Sequence, residues 1–160
     1  MNSQKTIKKG RFMFEKCFTF PYEVEWFIKE MYGRFKIANN EVLHLCCGES
    51  QLGNIRVDLK FQVKPDLVAD VLTLPNILGF ESRKYIVIDP PWVIDYNARR
   101  LFSYAVRDLL KIDGIVIWNS PWFPWCKGFS KDLEIWAVLQ NFNSYRDIPY
   151  FYVMKKILEA

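Results

Sequence analysis

The chain has 160 residues and a formal charge of +4 at neutral pH, with 51% hydrophobic and 17% aromatic side chains. That composition excludes an extended disordered chain, and the length leaves room for one real core but not for two well-built domains. No apolar run reaches the roughly 18 residues a membrane-spanning helix needs and no apolar secretion segment opens the chain, so a single intracellular, cytoplasmic domain over 1–160 is expected.

The charge is unevenly placed. Lys5, Lys8, Lys9 and Arg11 precede the first acid, Glu15, and the remaining charges cancel. A basic, flexible arm over 1–14 ahead of a neutral domain suits contact with a polyanion such as nucleic acid. Residues 21–36, PYEVEWFIKEMYGRFK, open on a proline fit for a first helical turn and set Val24, Phe27, Ile28, Met31 and Phe35 at helical spacing. This predicts an N-terminal helix lying over a sheet. From there, short apolar runs at 42–46, 55–59, 67–70, 85–89 and 115–118 alternate with turns and helical segments, the order of a parallel α/β sheet.

About eight residues separate the first run from the second and about seven the second from the third. A parallel crossover ordinarily takes at least about ten to twelve, so the helices there are expected to be reduced to a turn or lost. The clearest connecting helix is 96–112, where Phe102, Ala105, Val106, Leu109 and Leu110 form one apolar stripe away from Arg99, Arg100 and Arg107, with Gly114 expected to end it. Runs at 134–139 and 149–154 are expected to close the sheet as an antiparallel strand pair.

The four cysteines, Cys17, Cys46, Cys47 and Cys126, include no C-x-x-C pair, and His44 is the one histidine, so no metal site is expected. The cysteines read as small apolar fillers and His44 as a strand residue before a turn.

Polar residues gather where the runs end: CCGES at 46–50, Asp58, Asp70, DPPW at 89–92 and NSPW at 119–122. In an open parallel sheet, ligands bind in the crevice beyond the carboxyl ends of the strands. One strand-terminal Asp is commonly a turn former or helix cap. Three along one edge, with a glycine-bearing loop after the first strand, are better explained by a bound ligand.

This layout, over roughly residues 41–155, resembles the class I S-adenosylmethionine-dependent methyltransferases, and DPPW resembles the motif of the amino-methyltransferases, especially the adenine-N6 enzymes. The resemblance implies a Rossmann-like methyltransferase sheet, mostly parallel with an antiparallel C-terminal strand pair. It also implies S-adenosylmethionine as cofactor, with Cys46, Cys47, Gly48 and Glu49 near its amino-acid part, Asp58 accepting from the ribose hydroxyls, and Asp70 and Val71 beside its adenine. The first loop, HLCCGES, keeps only Gly48 of the glycines such enzymes carry.

Chemistry gives DPPW a purpose. An exocyclic amine on adenine is a poor nucleophile because its lone pair is delocalised into the ring, so transfer needs it held in line with the methyl group. Asp89 can accept one N–H while the carbonyl of Pro90 accepts the other, favouring tetrahedral nitrogen as positive charge develops. Pro90 and Pro91 stiffen the loop so that these acceptors stay aimed. Trp92 can stack on the base, a contact that contributes roughly 1–3 kcal/mol per base in single-strand binders.

A base inside a duplex has to be flipped out to reach such a site. The second loop, NSPWFPWCKGFS, follows the strand expected beside the DPPW strand. Asn119, Trp122, Trp125 and Lys127 are its candidate substrate contacts, with capping of the sheet end as the competing reading for the aromatics. The expected partner is nucleic acid, DNA ahead of RNA, with no membrane contact. No target-recognition region fits into the 160 residues, so loose sequence preference is expected, or recognition supplied by a homodimer or a recognition subunit. Cytosine-N4 transfer is an alternative, although those enzymes more often have Ser where Asp89 stands, and glutamine methylation goes with Asn there. An inactive methyltransferase-like nucleic-acid-binding module is favoured by the glycine-poor loop and opposed by the intact DPPW, Asp58 and Asp70.

Overall fold

The computed structural model describes residues 22–91, 94–124, 126–130, 134–137 and 150–158. The basic arm, Pro21, Trp92 and Trp125 lie outside the described residues. In chain order the elements are α1 (Tyr22–Phe35), β1 (Val42–Leu45), β2 (Ile55–Asp58), β3 (Leu67–Val68), α2 (Leu74–Leu78), β4 (Arg83–Ile88), α3 (Tyr96–Leu109), β5 (Leu110–Ser120), β6 (Glu134–Ala137) and β7 (Tyr150–Lys155). The strands form one sheet in the order β3-β2-β1-β4-β5-β7-β6. β1 to β5 pair in parallel, and β7 runs antiparallel to both β5 and β6. This is the mostly parallel α/β sheet with an antiparallel C-terminal pair that the sequence predicts.

Strand alternation sorts the core into two layers. Tyr85 and Val87 of β4, Ile117 of β5 and Phe151 and Val153 of β7 meet Phe27, Ile28 and Met31 of α1. Phe27 stacks on Phe151 with ring centroids 4.1 Å apart. The alternate residues, among them Ile86, Ile88, Val116 and Trp118, face Ala105, Val106 and Leu109 of α3 and Leu74 of α2. Both faces are therefore covered, as a parallel sheet requires. Burial at about 1.5–3 kcal/mol per large apolar side chain holds the strands in register.

The crossovers after β1 and β2 indeed lack α-helices; the second contains only the 3-10 turn Phe61–Val63. Arg56 on β2 holds both loops in their place. Its guanidinium donates to the Asp66 carboxylate at 3.1 and 3.2 Å and to the Lys64 carbonyl at 3.1 Å on one side, and to Gln51 Oε1 at 3.1 Å on the other. A planar fork with several donors can tie two loops at once, which an ammonium cannot do with the same geometry.

Asp70 caps the turn leading into the short helix α2 by accepting from the Leu72 N–H at 2.9 Å, and Pro75 sits in its first turn. One feature departs from the sequence reading. Gly114 does not end α3. The helix stops at Leu109 and the chain runs directly into β5, with Gly114 inside that strand. The register against β4 slips between Arg83 and Tyr85 as β5 bulges, with Asp113 in the left-handed region at φ 63°. A Cβ at Gly114 would stand 2.8 Å from the Lys111 carbonyl and 2.9 Å from the Lys84 carbonyl, both backbone atoms. Gly114→Ala is expected to lower stability by roughly 1–3 kcal/mol, read as a lower urea midpoint with an unchanged slope; an unmoved midpoint would show that the bulge has room to yield.

Candidate functional site

Register brings the strand-end residues together. β1 pairs Leu45 with Val57 on one side and with Ile88 on the other, so Cys46 stands between Asp58 and Asp89 at one edge of the sheet. Ile88 pairs with Trp118, which sets Asp89 beside Asn119. The strand order reverses direction at β1, with β2 and β3 on one side and β4 on the other. The crevice at such a switch point is where open α/β sheets bind ligands.

A cavity of about 630 Å³ opens there. Of the residues predicted to hold a cofactor, Cys46, Gly48, Asp58, Asp70 and Val71 line it, and so do Asp89, Pro90 and Pro91 of the DPPW stretch. Its size and its mainly apolar wall with a few converging polar groups are those of a small-molecule site. The sequence reading missed Leu59, Lys60, Val63, Ala69 and Phe102, which complete the wall. A signal for part of this was present: a large apolar residue, Leu59, directly follows the strand-terminal Asp58, and the structure leaves it 66% exposed.

The first loop is fastened to the end of β2. The Gly48 N–H donates to Asp58 Oδ2 at 2.9 Å, the Cys47 N–H to the Val57 carbonyl at 3.1 Å, and the Lys60 N–H to Asp58 Oδ1 at 2.9 Å. Gly48 adopts φ 51°, and a Cβ there would project into open space, so this stretch of backbone forms a bare cradle at the cavity wall. Cys46, also left-handed at φ 52°, is a non-glycine residue held in a sparsely populated conformation, of the kind that clusters at binding sites. Ser50 donates to Glu25 Oε1 at 2.7 Å, which ties the loop to α1. Glu49, by contrast, is exposed and Cys47 is buried; neither lines the cavity.

Burial, and then the carboxylates of Asp58, Asp89 and Asp70, push the Cys46 thiol well above its ordinary range. Burial and Asp58 push Cys47 up to about 11. Both stay protonated, consistent with a packing role rather than nucleophilic chemistry. His44, behind the loop, donates from Nδ1 to the Leu52 carbonyl at 3.0 Å. Desolvation lowers its pKa from 6.5 to about 4, the Leu52 contact opposing in part. The folded state thus keeps His44 neutral while the unfolded chain takes up a proton. Stability is complete above the unfolded pKa and is lost as pH falls from about 6.5 to about 4, by roughly 3 kcal/mol in all. Urea midpoints measured between pH 7.5 and 4 are expected to show this fall in the wild type and less of it in His44→Gln; equal slopes in the two would remove His44 as its source.

Asp89 ends β4 half-buried, its backbone N–H donating to the Leu45 carbonyl at 3.3 Å. Asn119 Nδ2 donates to Asp89 Oδ1 at 3.0 Å. Asn119 is 2% exposed, and its own Oδ1 has no hydrogen-bond partner. Asn119, predicted to contact substrate, does not line the cavity and is hydrogen-bonded to Asp89, which does. Trp122 departs further. It is 7% exposed and packs edge-to-face on Trp118 with centroids 5.4 Å apart, so the capping reading describes it better than the wall of the Asp89 cavity. Lys127 is exposed and does not line that cavity; its backbone carbonyl accepts from Arg107 Nη1 at 3.2 Å.

No protein-family model matches the sequence, and no curated protein does. Solved structures do match. TrmN from Thermus thermophilus is 19% identical, with 80% of this chain and 48% of that one covered at a TM-score of 0.57. A SAM-dependent methyltransferase from Archaeoglobus fulgidus is 12% identical over 86% of this chain and 100% of its own, at 0.56. An rRNA methylase from Streptococcus thermophilus is 8% identical over 82% and 95%, at 0.54. The chain has a Rossmann-like methyltransferase fold. It spans about half the length of the TrmN chain. Within this methyltransferase fold, the cavity beside Asp58 and Asp89 lies at the switch point of the sheet and gathers three carboxylates, those of Asp58, Asp70 and Asp89.

Proposed function

We propose that the chain transfers a methyl group from S-adenosylmethionine to the N6 amino group of adenine in nucleic acid, DNA in preference to RNA. The observation that carries this reading is the meeting of Gly48, Asp58, Asp70 and the Asp89–Pro90 strand end in one cavity. The cavity is rich in carboxylate, with Lys60 the single cation among the described residues of its wall, and so suits a ligand bearing ammonium and sulfonium charges and hydroxyl donors.

The residues fit that cofactor. The open backbone at Gly48 would receive its amino-acid end. Asp58 gives each oxygen to one backbone N–H and keeps a second lone pair on each for ribose hydroxyls. Leu59, Val63 and Val71 offer apolar surface for the adenine, with Asp70 at its edge. When bound, S-adenosylmethionine supplies an electrophilic methyl group on sulfur and leaves as S-adenosylhomocysteine.

Asp89 and Pro90 then act on the target amine. A carboxylate has about four lone-pair sites, and Asn119 occupies one at Oδ1, which fixes the carboxylate plane at the cavity wall. Asp89 accepts one amine N–H and the Pro90 carbonyl the other. As the nitrogen becomes tetrahedral and positive, the carboxylate stabilises that charge and receives the proton released. Because Asn119 is buried and Asp89 is anchored to Leu45, this acceptor is set before substrate arrives.

The test is incubation with labelled S-adenosylmethionine and separate pools of duplex DNA, single-stranded DNA and RNA, followed by digestion to nucleosides. Label in N6-methyladenine from a DNA pool is expected. Label in N4-methylcytosine, or in RNA alone, would replace the stated substrate. Cofactor binding without transfer to any pool would count against nucleic acid, and no cofactor binding would favour the inactive module.

A further inference from the structure

Beside the Asp89 cavity lies a second, of about 380 Å³, between the first turns of α3 and the turn after β5. α3 divides the two: Phe102 lines the first cavity and the next residue, Ser103, lines the second. Tyr96, Arg99, Arg100, Trp122 and Phe123 form the rest of its wall. No acidic residue is among them. Asp95, next to Tyr96, is turned to capping α3 and accepts from the Ala98 N–H at 3.0 Å.

The donors here lack matching acceptors. Arg99 donates from Nε to the Ile94 carbonyl at 3.0 Å, and its guanidinium lies 5.5 Å from the centre of the Trp122 ring, leaving the Nη groups for a ligand. Arg100 is exposed, its guanidinium 5.9 Å from the Tyr104 ring centre. Trp122 is 7% exposed, yet its Nε1–H has no acceptor. The Nε1 of the core residue Trp118 is unpartnered in the same way, so the groups free to meet a ligand in this pocket are the two guanidinium groups. A pocket with two guanidinium groups, exposed aromatic rings and, among the described residues, no carboxylate suits an oxyanion.

We propose that this pocket binds a backbone phosphate of the nucleic-acid strand next to the target base. The proposal rests on the nucleic-acid reading above and adds where the strand is gripped. Pro91 and Tyr96 are five residues apart in sequence, which limits their separation to about 17 Å, so a strand whose base enters the Asp89 cavity reaches the pocket with a flanking nucleotide. Tyr96 and Phe123, 71% and 52% exposed, offer faces on which flanking bases stack. Phosphate contacts of this kind set the register of the strand without reading its sequence.

The test uses the full chain and fluorescein-labelled single-stranded oligonucleotides, DNA and RNA, followed by anisotropy across a salt series. Arg99→Gln/Arg100→Gln is expected to weaken binding at least about tenfold and to reduce the slope of log K against log salt by about one. Lys84→Gln/Lys111→Gln, which removes as much charge at the opposite end of β4 and β5, should change little. Binding of S-adenosylhomocysteine by calorimetry should be unaltered in all of them, which also verifies folding.

Equal salt slopes for the wild type and the arginine variant would overturn the proposal. So would wild-type protein that binds inorganic phosphate or anionic lipid vesicles but no oligonucleotide. The methyl-transfer reading fails separately: arginine-dependent binding without transfer leaves the pocket standing, and transfer with unchanged binding in the variants leaves the reaction standing and the pocket not.

Discussion

An Asp89→Asn variant is expected to bind cofactor as the wild type does and to transfer methyl groups roughly 100- to 1,000-fold more slowly, the usual size for loss of one preorganised electrostatic contact to the transition state. The substitution keeps the shape, and the oxygen of the new amide can still accept from Asn119 Nδ2, which now reaches Asp89 Oδ1 at 3.0 Å. What it removes is the negative charge and one proton-accepting oxygen. Both matter most when the amine nitrogen turns positive, so kcat should fall with little change in the affinity for S-adenosylhomocysteine. Asp89→Ala is a poorer probe, because it leaves the buried Asn119 amide without its acceptor and costs about 1–3 kcal/mol of stability besides. Asn119→Ala, which frees the carboxylate without removing it, should cost less than Asp89→Asn. Turnover is measured with saturating cofactor and the polynucleotide pool that serves as substrate. If Asp89→Asn kept transfer within threefold of the wild type, the amine would be held by something other than this carboxylate.

The edge of the sheet was legible because a parallel strand ends where its apolar run ends. Asp58 and Asp89 close their runs at once and Asp70 two residues later, and register then places them around Cys46. The missing crossover helices were legible from distance alone. What fills their place, Arg56 reaching loops on both sides, was not, since one arginine in a strand carries no mark of which loops it will meet. Gly114 was misplaced because a glycine after a helical stripe signals a helix end, whereas here it serves the close approach of two backbones. Aromatic residues gave the least direction. Trp122 looks the same in sequence whether it walls a pocket or fills a core; here it packs on Trp118 under α3 and edges the second cavity, not the one at Asp89. The hydrogen bond from Asn119 to Asp89 was not legible, because it depends on the pairing of Ile88 with Trp118.

Loss of the Asp58 carboxylate is expected to act on cofactor affinity instead of on turnover. Asp58 has two duties that one substitution exposes together. It staples the first loop to β2 through the Gly48 and Lys60 N–H groups, each at 2.9 Å, and its remaining lone pairs face the cavity where ribose hydroxyls would sit. Hydrogen bonds to a charged group contribute about 1.5–3 kcal/mol each, so losing two to the ligand weakens binding by about 100-fold or more. Release of the loop adds to this, because Gly48 then loses the bond that holds its open backbone at the cavity wall. Asp58→Ala is therefore expected to raise the Kd for S-adenosylhomocysteine at least about 100-fold by calorimetry, with the urea midpoint falling much less, since Asp58 lies at the rim of the sheet and the core clusters do not include it. Asp58→Asn tests the charge: it keeps one acceptor but turns an NH₂ toward either the Gly48 or the Lys60 N–H, and should fall between the wild type and Asp58→Ala. A Kd unchanged in both variants would mean that the ligand does not reach Asp58, and the cofactor would have to be moved away from the β2 side of the crevice.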